Sequence, residues 1–147
     1  MTGAVLLVVV LAVSTLAWLL WRRVNGRVRP VHEQETAGRE TAGRETAAVL
    51  ARLGVDPAAA PVTLVQFSTA FCQPCRATRQ VLGQVVTRLP AVRHVEVDAE
   101  SHLTEVRDLG ILRTPTVLVV DRAGRVVRRA SGQPRLADVI AALAPYL

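Results

Sequence analysis

From Gly3 to Trp21 the chain runs for 19 residues without a charged side chain, and only Ser14 and Thr15 in it are polar. No other feature constrains the fold as tightly, because a helix that is apolar on every side has no face to turn to water. As an α-helix the run measures about 28 Å, close to the hydrocarbon thickness of a bilayer. Trp18 and Trp21 stand at its C-terminal end, where indoles favour the headgroup level, and Arg22, Arg23, Arg27 and Arg29 follow. A cleaved leader is the competing reading. It would need a basic segment ahead of a shorter apolar core and a small-residue cleavage site. Here the bulky Trp18-Leu19-Leu20-Trp21 fills the place where cleavage would fall. The expectation is an uncleaved, single-pass transmembrane anchor over residues 1–21. The arginines on its C-terminal side predict the rest of the chain in the cytoplasm, with an extracytoplasmic domain as the alternative.

All 18 basic residues are Arg, against 12 acidic ones, for a net charge of +6. Without Lys there is neither a Schiff-base amine nor a P-loop lysine. Part of the positive excess belongs to the juxtamembrane arginines, whose expected partner is anionic membrane lipid. Arg122, Arg125, Arg128 and Arg129 form a second group. No aromatic residues are interleaved with them for base stacking, which argues against nucleic acid.

Residues 22–60 read as a juxtamembrane linker. It holds a direct repeat, Glu35-Thr36-Ala37-Gly38-Arg39 followed by Glu40-Thr41-Ala42-Gly43-Arg44 and Glu45-Thr46-Ala47. Glu35 and Glu40 each have an Arg four residues on, which supports helix, while Gly38 and Gly43 weaken it. The repeat is a semi-flexible spacer or a neutral expansion. Thr46 to Leu53 is expected as a short helix packing on the domain.

Residues 61–147 are patterned as a globular α/β domain. Val62 to Phe67 is an apolar, β-branched strand. Gln73 to Leu89 is a helix with Val81, Leu82, Val85, Val86 and Leu89 on one stripe, stopped by Pro90. Val92 to Asp98 is a strand, and Ser101 is placed to cap a helix ending near Leu109. Thr116 to Val120 and Arg125 to Ala130 form a hairpin around Asp121-Arg122-Ala123-Gly124, and Pro134 opens a last helix. The first strand–helix–strand unit is a parallel crossover. The result is a mixed sheet flanked by helices.

The two cysteines, Cys72 and Cys75, are too few for a disulfide scaffold or a four-cysteine zinc site. They sit in Phe71-Cys72-Gln73-Pro74-Cys75-Arg76, where the first strand gives way to the first helix. Cys72 at the helix start meets unpaired N–H groups and the positive end of the helix dipole, which favour thiolate. Arg76 and Arg79 are expected to add positive charge nearby. Cys75, one turn on, is placed to attack a mixed disulfide held by Cys72. Half of a metal site is the competing reading. It needs two further ligands, and His32, His94 and His102 lack the spacing. An inert structural pair is a further alternative.

These residues, with Thr114-Pro115-Thr116 ahead of an apolar strand, resemble the thioredoxin superfamily over essentially all of 61–147. The whole chain is most similar to the membrane-anchored thioredoxin-like proteins of high-GC bacteria. The resemblance implies a thioredoxin fold preceded by one transmembrane helix. It implies Cys72 as exposed nucleophile, Cys75 as buried resolving thiol, and Pro115 as a cis-proline whose neighbour Thr114 pairs with substrate backbone. Phe71, Gln73 and Pro74 would complete the substrate-binding surface. Phe71 stands where the family has Trp, and Gln73 where thioredoxin has Gly. Gln66 replaces a buried Asp, so the family's proton-accepting carboxylate is missing there. His94, on the neighbouring strand, is the candidate substitute, with a partly exposed strand histidine of no catalytic role as the alternative reading.

The leading expectation is a membrane-tethered thiol–disulfide oxidoreductase acting on protein disulfides, with the Cys72–Cys75 pair as its redox centre, no added cofactor or metal, and an unidentified electron donor or acceptor. The alternatives are an extracytoplasmic reductase or isomerase in envelope or cytochrome assembly, and a thioredoxin-fold docking module without turnover.

Overall fold

The two most apolar segments of the domain, Val62–Ser68 and Thr116–Asp121, are buried along their whole length and pair antiparallel at the centre of one sheet. In the computed structural model, residues 2–31 and 36–147 are described, with the side chains of 2–4, 22–24 and 36–42 set aside. The elements in chain order are α1 (Thr2–Val24), β1 (Val28–Pro30), α2 (Thr36–Arg52), β2 (Val62–Ser68), α3 (Gln73–Arg88), β3 (Val92–Asp98), α4 (Leu103–Asp108), β4 (Thr116–Asp121), β5 (Val126–Ser131) and α5 (Leu136–Leu143). The strand order is β1-β5-β4-β2-β3. Only β2 and β3 run parallel, as a crossover through α3 requires, and β4 and β5 form the expected hairpin.

Strand alternation divides the core in two. Val62 and Leu64 of β2, with Val117 and Val119 of β4, face Leu82 and Val85 of α3 and Val139 and Leu143 of α5. Val65, Phe67, Leu118 and Val120 face the other way, onto Val49 and Leu50 of α2 and Leu109 and Ile111 beyond α4. Gln66 shares the α3 side with Val62 and Leu64, and that parity aims a polar side chain at the helix carrying the cysteines.

Within the stretch read as a linker, two segments take regular structure. Residues 28–30 form β1, antiparallel to β5. Gly26 makes this close approach possible. Its φ is +78°, and a Cβ there would lie 1.8 Å from the Gln133 carbonyl oxygen. The repeat is helical from Thr36 onward, where the sequence placed a helix start at Thr46. Burial of Val49 and Leu50 and ion pairs from Arg52 to Glu105 (3.2 Å) and Asp108 (2.9 Å) hold α2 against α4. Anchored there, good helix formers such as Ala, Glu and Arg extend the helix back through the glycines. His32 and Glu35 lie outside the described residues, as do the side chains of Arg22, Arg23 and Arg39.

One expected cap is absent. The Ser101 hydroxyl donates to Asp98, and α4 begins after His102 without a side-chain cap. The apolar N-terminal run does form a helix, α1, and its side chains from Val5 to Trp21 are exposed. Among the described residues no helix is long and apolar enough to cross a membrane.

Candidate active site

Strand β2 ends at Ser68, and four residues later Cys72 caps the N-terminus of α3. Its sulfur accepts the backbone N–H of Cys75 at 3.2 Å, one of the orphan donors of a helix start. Cys72 and Cys75 are joined as a disulfide with Cα atoms 5.2 Å apart. Cys72 is half-buried, while Cys75, one turn inward, is 1% exposed. Pro74 occupies the first turn, where a missing N–H leaves no helix bond unmade. Gln73 and Pro74 are exposed, and Phe71 is 98% exposed.

The Thr114–Pro115 bond is cis. Its loop meets the cysteine loop through a Thr69–Thr114 hydroxyl contact of 3.3 Å, and the Pro115 carbonyl accepts the Gly132 N–H at 2.7 Å. Pro115 is buried and Thr114 half-buried. Leu112 in the same loop is 96% exposed. Sequence reading passed over Leu112. Its signal was an apolar residue between Gly110 and Pro115 at a position with no strand or helix to bury it.

Beneath the dithiol lies a polar network centred on Gln66, which is fully buried. Its amide nitrogen is placed to donate to the Cys75 carbonyl (3.0 Å), the Ser68 hydroxyl (2.8 Å) and Glu96 Oε1 (3.3 Å). An amide has two N–H groups, so these three acceptors share them. The Gln66 carbonyl oxygen lies 3.2 Å from His94 Nε2, which fits an Nε2–H donor. Gln66 therefore stands between His94 and the Cys75 turn. Glu96 was not singled out in the sequence; its signal was the carboxylate in parallel register with Gln66.

Arg79 departs from expectation. It pairs with Glu96, its Nη2 donating to Oε1 at 2.8 Å, so its charge is met within this network. The Arg76 guanidinium donates to Gln73 Oε1. The Arg79 hydrogen bond holds the Glu96 carboxyl below the usual carboxylate range, against the opposing effect of burial. A cavity of about 320 Å³ opens beside this pair, lined by Ser68, Thr69, Ala70, Arg79, Glu96 and Asp98.

Burial holds the His94 imidazole below its ordinary range; Arg79 acts in the same direction and the Glu96 charge opposes both. The folded chain thus keeps His94 neutral where the unfolded chain has begun to bind a proton. Acidification through the ordinary imidazole range therefore costs stability. In His94→Gln that component is absent. Between about pH 7 and about pH 5 the melting temperature of the variant is expected to fall less steeply than that of the parent. Equal slopes would remove the imidazole from this balance.

The thioredoxin family model matches residues 55–144. A thioredoxin of Chlamydia muridarum is 29% identical over 77 residues, 52% of this chain and 74% of that protein. Among solved structures, chloroplastic thioredoxin z superposes with a TM-score of 0.57 at 23% identity, covering 65% of this chain and 88% of its own. A mutant thioredoxin from Halobacterium salinarum gives 0.57 at 16% identity, covering 62% and 79%. With a family match over more than half its length and a C-x-x-C pair at the head of α3, the chain belongs to the thioredoxin family and is a thiol–disulfide oxidoreductase.

Proposed function

We propose that this chain is a membrane-tethered reductase of protein disulfides. The observation that carries the redox part is the unequal exposure of one disulfide: Cys72 half-exposed at a helix N-terminus, Cys75 buried beneath it. In the reduced chain, the Cys72 thiolate attacks a substrate disulfide. The substrate S–S bond breaks, one substrate thiolate leaves, and a mixed disulfide forms. Cys75 then loses its proton and attacks Cys72 sulfur, releasing the second substrate thiolate. Two electrons have passed to the substrate, and the Cys72–Cys75 disulfide remains for an external dithiol donor to reduce. No cofactor beyond that pair is assigned.

The substrate surface in this proposal is Phe71, Gln73 and Pro74 on one loop and Thr114 and Pro115 on the other. Phe71 offers apolar contact, and Thr114 offers backbone to an extended substrate segment. His94 is the proposed proton acceptor for Cys75, acting through water, because Gln66 itself has no basic group. The pH profile of disulfide reduction in His94→Gln is the test, and an unchanged profile removes His94 from this role.

Tethering rests on the exposed apolar side chains of α1, Val5 to Trp21, followed at once by arginines. The same charges favour a cytoplasmic domain, where reduction is the expected direction. The Lys-free, Arg-rich composition fits a high-GC bacterial source. In a membrane preparation the full chain is expected to resist alkaline carbonate extraction, and a reporter fused after Tyr146 to work only on the cytoplasmic side. Release by carbonate would reject the tether. An extracytoplasmic signal would favour the alternative role in envelope or cytochrome assembly. A reduction potential near that of strongly reducing dithiols is expected, and an oxidising value would reverse the proposed electron flow.

A further inference from the structure

We infer that the edge of the sheet away from α3 carries a binding pocket for a phosphate group, built from Arg27, Arg29, Arg113 and Arg129. The four arginines, with Pro30, Val31 and Ser131, line a cavity of about 440 Å³ that has no acidic residue among the described residues of its wall. Their convergence is a product of the fold. Val28 packs into the α3–α5 core, so its neighbours Arg27 and Arg29 turn to the opposite face. Antiparallel register then sets Arg29 directly across from Arg129.

Two like charges opposed across a strand pair are destabilising unless something of opposite sign joins them. Among the described residues, no ion pair involves any of the four arginines. What the fold supplies is positioning. Arg129, half-buried, donates to the carbonyls of Leu109 (2.7 Å) and Gly110 (2.9 Å), and Arg113 donates to the Ser131 carbonyl at 2.9 Å. These bonds fix two guanidinium planes while leaving other N–H groups for a ligand. Rigid forks with several donors suit a tetrahedral oxyanion, which accepts on several oxygens at once. Forks approaching from several directions favour a tetrahedral phosphate over a planar carboxylate.

The place of the pocket bears on the source of the phosphate. Arg27 lies three residues beyond Val24, the end of the exposed apolar helix α1. A phosphate in an anionic lipid headgroup and free inorganic phosphate offer the same chemistry, and the pocket's position suits the first. The site does not rest on the proposed direction of electron flow.

Hydrogen exchange on the full chain tests this, read at residues 27–31 and 109–114. Three preparations are compared with a chloride control of equal ionic strength: detergent micelles with inorganic phosphate, neutral phosphatidylcholine vesicles, and vesicles containing phosphatidylglycerol. With ligand at roughly ten times its dissociation constant, exchange there is expected to slow about tenfold. The protection should vanish in Arg27→Gln/Arg29→Gln/Arg113→Gln and persist in Arg93→Gln/Arg107→Gln/Arg122→Gln, which removes equal charge from exposed positions elsewhere. Arg129 is retained because it holds the loop carbonyls. Protection by inorganic phosphate alone assigns the site to free phosphate, protection in both arms to either source, and protection only with phosphatidylglycerol to the headgroup. Protection by neither, equal protection by neutral phosphatidylcholine vesicles, or equal loss in both triple variants overturns the site. A chain that carbonate releases from membranes yet binds inorganic phosphate here would separate failure of the tether from failure of the pocket.

Discussion

Cys72→Ser is expected to reduce protein disulfides no faster than buffer, and Cys75→Ser to stop after one half-reaction with its substrate covalently attached. Both variants lose turnover, but for different reasons. Cys72 is the more exposed sulfur of the pair, in the proposed mechanism the one a substrate reaches, and it accepts the Cys75 N–H at the positive end of α3. That setting favours the thiolate over the thiol, and the thiolate is the attacking species. A serine hydroxyl in its place stays protonated at neutral pH and does not attack. Cys75, 1% exposed, is out of reach of a substrate disulfide but one helical turn from Cys72. Serine there leaves the first attack intact and removes the thiol that resolves it. The pre-reduced Cys75→Ser chain should therefore accumulate a mixed disulfide, seen as a mass increase equal to one substrate and lost on adding reductant. Cys72→Ser should accumulate none. The reverse pattern would exchange the two roles. Undiminished partner capture by Cys72→Ser, with no mixed disulfide from Cys75→Ser, would favour a docking module.

How much of this was legible in the sequence depended on whether a residue's partner lies near it in the chain. The dithiol was readable because four residues and a strand–helix junction define it. So was the cis peptide site, through Thr114-Pro115 and the apolar strand that follows. β2 and β4 were readable because full burial needs unbroken apolar runs. Strand β1 was not, since Val28-Arg29-Pro30 carries one apolar side chain that faces the core and its stability comes from β5, about a hundred residues away. The Gln66 network was half readable. The polar residue in an apolar strand was visible, but its partners Cys75, His94 and Glu96 come from α3 and β3, and only the parallel register brings them together. Arg79 shows the same limit. Its position one turn beyond Cys75 suggested a charge for the dithiol, and the fold gives that charge to Glu96.

The end of the repeat poses the sharpest test of where the folded unit begins. Leu50→Ala is expected to destabilise the domain by about 2–5 kcal/mol, the range for truncating a buried leucine. Leu50 is fully buried, in one cluster with Val65 and Phe67 of β2 and Leu118 and Val120 of β4. The side chain removed thus leaves a cavity against the central strands, not against a surface flap. Relaxation is limited because α2 is held on its far side by Arg52 pairing with Glu105 and Asp108. Against a typical domain stability of about 5–15 kcal/mol, such a loss is large. If residues 46–53 were a spacer grazing the domain, the same substitution would cost within about 0.5 kcal/mol, as exposed sites do. Ala48, exposed on the same helix, supplies the control: Ala48→Ser should leave the denaturation midpoint nearly unchanged. Urea unfolding of the two variants reads the difference directly, with an unchanged m-value showing that stability and not compactness has moved. A large cost at Leu50 places the start of the cooperative unit inside the repeat-bearing helix, ahead of the first central strand. The redox centre would then share its stability with the segment that joins it to α1.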